Sequence, residues 1–122
     1  MSETNVERAR RGFDAIARGD YDTVREILHP DVKWHGGNPA DGCLDRDQVL
    51  AFMQRPERPS GIVELVELVD AGDQVVVIMR PPRDTQLRAN LTTFRDGLVV
   101  EMVHFEDPGE ALAAAGVQRP RT

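Results

Sequence analysis

The chain has 122 residues, too few for more than one domain of ordinary size. Its 15 Lys and Arg against 21 Asp and Glu give a net charge of −6, which opposes phosphate backbones and anionic membranes and argues against nucleic acid or a membrane surface as partner. No apolar run approaches the ~20 residues of a bilayer span, Met1-Ser2-Glu3-Thr4 does not read as a signal peptide, and a single cysteine, Cys43, leaves no internal disulfide and fits a reducing cytoplasm.

Thr4-Asn5-Val6-Glu7 has capping-box spacing and opens a first helix. Val6, Ala9, Phe13, Ile16 and Ala17 form its apolar stripe, and Glu7, Arg8, Arg10, Arg11, Asp14 and Arg18 its polar side. Gly19 stops it. Asp20 caps a second helix carrying Tyr21, Val24, Ile27 and Leu28, which Pro30 ends. Val32-Lys33-Trp34-His35-Gly36 alternates as a strand, with Val32 and Trp34 on one side and His35 turned away toward solvent or a partner. A loop rich in Gly, Asn, Pro and Asp runs from Gly36 to Gly42. Asp45, with Gln48 three residues on, caps a third helix bearing Val49, Leu50, Phe52 and Met53, and Pro56 and Pro59 close it.

Strands follow. Ile62–Asp70 and Gln74–Arg80 flank the hairpin loop Asp70-Ala71-Gly72-Asp73, and Val75 to Met79 is apolar on both faces, as a central strand covered twice would be. Pro81-Pro82-Arg83-Asp84 breaks the ladder. Gln86–Arg95 and Leu98–Glu106 then flank Asp96-Gly97, a strong hairpin signal. A two-residue turn pairs Ala89 with His104, Leu91 with Met102 and Thr93 with Val100 on a nearly apolar face, and puts Arg88 with Phe105, Asn90 with Val103 and Thr92 with Glu101 on the other. A bulge at Gly97 would shift that register by one. Asp107, Pro108 and Glu110 open a short alanine-rich helix that stops at Gly116. The whole, 1–122, reads as one domain with its core at about 6–116 and a loose tail at 117–122.

This order predicts an α+β fold: a curved antiparallel sheet with three N-terminal-half helices over one face. The other face also carries Phe94, Val99, Val103 and Phe105, which the front helices cannot reach, so a second copy of the chain is the expected cover.

Several strings in this layout resemble the SnoaL-like branch of the nuclear transport factor 2-like superfamily. They are Gly19-Asp20, Leu28-His29-Pro30-Asp31-Val32-Lys33-Trp34-His35, Asp96-Gly97 and Phe105-Glu106-Asp107, in that order, over about residues 6 to 116. The resemblance implies a cone-shaped, cystatin-like α+β barrel, a pocket between helices and concave face, and a homodimer joined through the convex face. It says little about chemistry, because such cones host cyclases, isomerases, hydrolases, dehydratases and inert binding modules. A ketosteroid isomerase would want a carboxylate where Trp34 stands and a hydroxyl near Gly12 or Phe13. A limonene-type epoxide hydrolase would want aspartates near Pro82 and His104, around an arginine such as Arg80. A SnoaL-type cyclase asks only for an acid–base group in an apolar cavity, which His104 supplies.

His104 is the leading catalytic candidate: an imidazole in an apolar cone titrates near neutrality and can move a proton at a carbon acid or carbonyl. Its bland alternative is a hydrogen-bonded core histidine. Arg80 could hold a carboxylate or enolate oxygen, or simply pair with a neighbouring acid. Trp34, Phe13, Met53, Leu91 and Met102 are the expected pocket lining, and equally ordinary core residues. Glu106 shares the parity of His104 and could orient it, though a solvated strand-end carboxylate is the plain reading. His29, His35 and His104 lack ligand spacing, and no phosphate-loop string occurs, so neither metal nor cofactor is expected. The functional expectation is a cytoplasmic small-molecule pocket protein, acting by proton transfer (cyclisation or isomerisation) on an apolar polyketide-like or terpenoid-like compound. The alternative is a non-catalytic hydrophobic-ligand-binding or dimeric interaction module.

Overall fold

Thr4 begins α1 (Asn5–Arg18) with the capping box its spacing predicts: its hydroxyl accepts from Glu7 N at 3.1 Å, and Glu7 Oε1 accepts in return from Thr4 N. Gly19, at φ 72°, ends it in the left-handed conformation that glycine adopts without a Cβ clash. The computed structural model describes residues 4–36, 42–54, 64–80 and 86–117. Pro56, Pro59, Ile62, Pro81-Pro82-Arg83-Asp84 and most of the expected 36–42 loop lie outside the described residues.

After Asp20 caps α2 (Tyr21–Ile27), the chain departs from expectation. Leu28 is not helical: it already pairs with Val99 as the first residue of β1 (Leu28–His35). The next β1 pair is Lys33 with Glu101, so the register breaks between Leu28 and Lys33. Pro30 sits in that break, where its missing N–H removes no ladder bond. Asp45 then caps α3 (Arg46–Met53), its carboxylate accepting from Gln48 N at 2.9 Å.

Three further strands build on a hairpin: β2 (Glu64–Ala71), β3 (Gln74–Arg80) and β4 (Arg88–Arg95), followed by β5 (Leu98–Phe105) and α4 (Pro108–Ala114). The first turn is tighter than expected. Ala71 pairs with Gln74, which leaves only Gly72 (φ 80°) and Asp73 in the bend. The sheet order is β1-β5-β4-β3-β2, with β1 parallel to β5 and the other pairs antiparallel. The sheet is therefore curved, unclosed and mixed, and among the described residues four helices pack on it.

Two cores divide between the sheet faces. On the front, Ala15, Val24, Ile27, Val32, Val49, Leu50 and Met53 pack with Val75, Val77, Phe94, Val99 and Met102. On the back, Val69, Val76, Ile78, Ala89 and Leu91 pack with Ala111, Leu112, Ala115 and Val117. The sequence reading left the back to a second subunit, whereas α4 and the residues just after it already cover part of that face. The reason is local: Asp107 accepts from Gly109 N at 2.9 Å and Pro108 starts the helix, folding the chain back across β4. Val117, expected in the loose tail, joins that packing, and its N–H donates to Leu112 O at 2.9 Å.

One end of the front face is sealed by α1. Asn5 Nδ2 donates to Gly72 O at 3.1 Å, and the Arg8 guanidinium lies beside Gly97, so both hairpin turns meet the helix start. His104, Arg88 and Met79 stand at the other end of their strands.

Candidate functional site

The hairpin register decides which residues share the concave front. Asp96 (φ 52°) and Gly97 (φ 82°) make the two-residue turn the sequence predicts, and Arg95 pairs with Leu98 and Phe94 with Val99. Beyond them, Thr93 pairs with Glu101, so Val100 is an extra residue bulged from β5. Every later pair shifts by one. His104 therefore faces Asn90 rather than Ala89, and Met102 faces Thr92 rather than Leu91. Phe94 and Val99, expected on the back, pack in the front core. Leu91, expected in the pocket lining, points with Ala89 to the back and packs in the α4 core. A one-residue slip reverses every side chain beyond it.

The front rows can now be read across the strands. Trp34 pairs with Met102, Met102 with Thr92 and Thr92 with Val75; the next row is His104, Asn90, Val77 and Leu68; Arg88 pairs with Met79 and Met79 with Leu65 in the third. Trp34 meets Phe52 of α3 edge to face, with ring centroids 5.0 Å apart and planes at 82°. Tyr21 Oη donates to Met53 O at 3.4 Å, tying α2 to α3. Phe13 and Met53 lie in the front packing, and Thr92 is only 5 % exposed despite its hydroxyl.

His104 sits near the end of β5 and is itself exposed. Its Nδ1 lies 3.4 Å from Asn90 Oδ1, a long contact. A proton on Nδ1 would donate to that oxygen and leave the Nε2 lone pair free. Partial burial, then the Arg88 guanidinium, push the imidazole below the usual histidine value of 6.5, and Glu106 pulls the other way. The ring is therefore neutral at pH 7, the form a general base requires. Arg88 reaches Glu106 at 3.9 Å; its side chain is 25 % exposed and that of Glu106 84 %.

Arg80, the second catalytic expectation, is elsewhere. It follows Met79, which packs in the front core, so strand alternation turns it to the back. There its Nη1 donates to Glu64 Oε2 at 3.0 Å across the β2–β3 ladder. The residues the sequence reading missed are Arg88 and Asn90, which it assigned to the opposite face. The alternation of Arg88, Asn90 and Thr92 with Ala89 and Leu91 was visible, but it does not say which face the three front helices cover.

His35 faces away from Trp34, as expected, yet it is buried rather than open to solvent. Its Nε2 lies 2.9 Å from Glu101 Oε2 on the back of β5. Its place is fixed partly by Gly42 and Cys43. Cys43 and Trp34 exchange backbone hydrogen bonds of 2.8 and 3.1 Å, a single antiparallel bridge beside β1. A Cβ at Gly42 would collide with the Trp34 carbonyl oxygen and come within 2.7 Å of His35 Cβ.

Among the described residues no cluster of His, Cys, Asp and Glu could hold a metal ion, and no helix is long and apolar enough to cross a membrane. A broad groove of ≈ 560 Å³ on α1 is lined by Glu7, Arg10, Arg11, Asp14, Ala17 and Arg18. It lies open on the helix's polar side and shares no residue with the concave rows.

The fold has many relatives among solved structures. IdmH, a proposed polyketide cyclase from Streptomyces antibioticus, aligns with a TM-score of 0.70 at 23 % identity over 94 % of this chain and 100 % of that one. A proposed ketosteroid isomerase from Kribbella flavida DSM 17836 aligns at 0.70 with 20 % identity, over 83 % of this chain and 76 % of that one. An NTF2-like protein of unknown function from Burkholderia xenovorans LB400 aligns at 0.68 with 22 % identity, over 96 % of both. At such identities the likeness concerns the fold. None of the curated proteins matches the chain. The SnoaL-like domain family matches residues 9–107, across the helical hairpin, the sheet and the His104 strand, and the chain belongs to that family.

Proposed function

We propose that the concave face binds a small, largely apolar organic molecule of polyketide-like or terpenoid-like skeleton, and that His104 moves a proton on it. The observation that carries this reading is the placement of the His104 imidazole beside Asn90 on a face whose other members include Trp34, Met102 and Met79. Nε2 takes a proton from a carbon next to a carbonyl, and the electron pair moves onto the carbonyl oxygen. Returning the proton at a different carbon isomerises the substrate. Attack by the enolate carbon on a second carbonyl closes a ring, and the imidazolium then protonates the new alkoxide. Either sequence balances with the side chain alone. Arg80 has no part in it.

A non-catalytic ligand-binding module is the second reading, favoured by the exposure of His104 and its long contact to Asn90. Native mass spectrometry of protein purified without denaturation is expected to show an organic mass released on collision. Incubating that compound with fresh protein separates the readings: conversion supports catalysis, and unchanged return supports binding alone. Bare polypeptide, with no mass shift on adding neutral polyketide and terpenoid lactones, overturns both. Self-association belongs to the same proposal, two copies meeting through the convex face beside α4. Light scattering should then give twice the chain mass, and a monomer at micromolar concentration removes that part.

A further inference from the structure

We propose that the hydroxyl of Thr92 receives the substrate oxygen on which charge builds when His104 removes a proton. The inference rests on the proton-transfer reading above and adds the group that would hold the enolate.

Thr92 is the most buried of the described threonines, and its hydroxyl stands apart from theirs. Thr4 Oγ1 accepts from Glu7 N, Thr23 Oγ1 donates to Asp20 Oδ2 at 2.7 Å, and Thr93 Oγ1 accepts from Gln74 Nε2 at 3.1 Å. Among the described residues nothing bonds to Thr92 Oγ1. Its ladder neighbours are Val75 on β3 and Met102 on β5, both members of the front core, so its side chain points to the concave side. Valine has the same shape and would suit that apolar company better. A sheltered hydroxyl without a partner weakens the fold, and such costs persist where function uses the group.

The hydroxyl is also within reach of a ligand. Among the described residues the one fully enclosed side-chain nitrogen or oxygen that lacks a partner is Arg46 Nε. Thr92 Oγ1 therefore keeps contact with open space. Since β4 is the middle strand of five, that space lies on the concave face.

Its position relative to His104 suits the chemistry. His104 pairs with Asn90 and Met102 with Thr92, so Thr92 and His104 are diagonal neighbours across the β4–β5 ladder. Diagonal neighbours lie roughly 7 Å apart. A base about 3 Å from a carbon and a donor about 3 Å from the oxygen, with one C–C=O unit between, span a similar length. Nε2 takes the proton, the C–H pair forms the carbon–carbon double bond, and the carbonyl pair moves onto oxygen. Thr92 Oγ1–H donates a hydrogen bond to that oxygen and keeps its own proton.

The test is α-proton exchange of 2-tetralone in D₂O, followed by proton NMR for the unaltered protein, Thr92→Val and Thr92→Ser. Valine is expected to lower kcat about 10²-fold, as loss of one such donor does, with KM within a few-fold. Serine restores a hydroxyl and should recover most of the rate. The melting temperature of the valine variant should equal or exceed that of the unaltered protein, because no internal hydrogen bond is lost. Calorimetry gives a second readout: 2-naphthol, planar like the enolate, should bind about tenfold more tightly than naphthalene, and valine should erase that preference. Exchange or a naphthol preference that survives Thr92→Val overturns the inference and leaves His104 as the base. An unfolded or destabilised valine variant overturns it too, since the hydroxyl would then have a partner inside the protein. Exchange no faster than buffer in the unaltered protein removes the parts of His104 and Thr92 together.

Discussion

Replacing His104 by glutamine is expected to lower turnover of the bound compound by about 10²-fold to 10⁴-fold, the range that general acid–base catalysis supplies. Ligand affinity should stay within a few-fold, because glutamine keeps a polar side chain of similar reach opposite Asn90. The pH profile gives a second readout. Burial and Arg88 hold the imidazole below 6.5, and the base must be neutral, so activity should persist through pH 6.5 and fall only on further acidification. Arg88→Gln removes a cation that disfavours protonation, so that acid limb should move to higher pH. A profile without an acid limb, or one that ignores Arg88, argues that another group carries the proton.

The second large effect concerns the edge of the site. Gly42→Ala should cost about 2–3 kcal/mol of folding stability, as overpacking against fixed backbone does. The added Cβ would meet the Trp34 carbonyl oxygen and His35, and neither can swing away as a flexible side-chain tip could. Gly36→Ala is the control: it has open space around it and no positive φ, so it should change stability little. Urea denaturation of the two variants checks the difference. Because Trp34 sits on the front row and packs on Phe52, the Gly42 variant should also shift the emission of the chain's only tryptophan. Equal stabilities would mean that residue 42 does not lie against β1.

Much of the architecture was legible because short-range chemistry dictates it. Thr4 and Glu7, Gly19, Asp20, Asp45 and Asp107 mark helix ends through caps that need only a few neighbouring residues. Asp96-Gly97 marked its turn for the same reason. The site was less legible because it depends on relations several strands apart. The Val100 bulge has no sequence mark, yet it moves Leu91 out of the front and brings Asn90 opposite His104. Alternation in β4 separates Arg88, Asn90 and Thr92 from Ala89 and Leu91, and the apolar set is the natural candidate to face the front helices. In the structure α4 takes that set, and the polar set lines the concave side. The sequence leaves the direction of Arg80 open because the ladder partner of a strand-end residue, here Glu64, lies sixteen residues away and outside any local pattern.

The most direct measurement of the central claim needs no natural substrate. In D₂O at neutral pH the protein should speed the exchange of the α-protons of 2-tetralone, a small apolar ketone, above the buffer rate, as followed by proton NMR. The His104→Gln variant should fall back to that buffer rate. Exchange no faster than buffer, or equal in both proteins, would contradict the account.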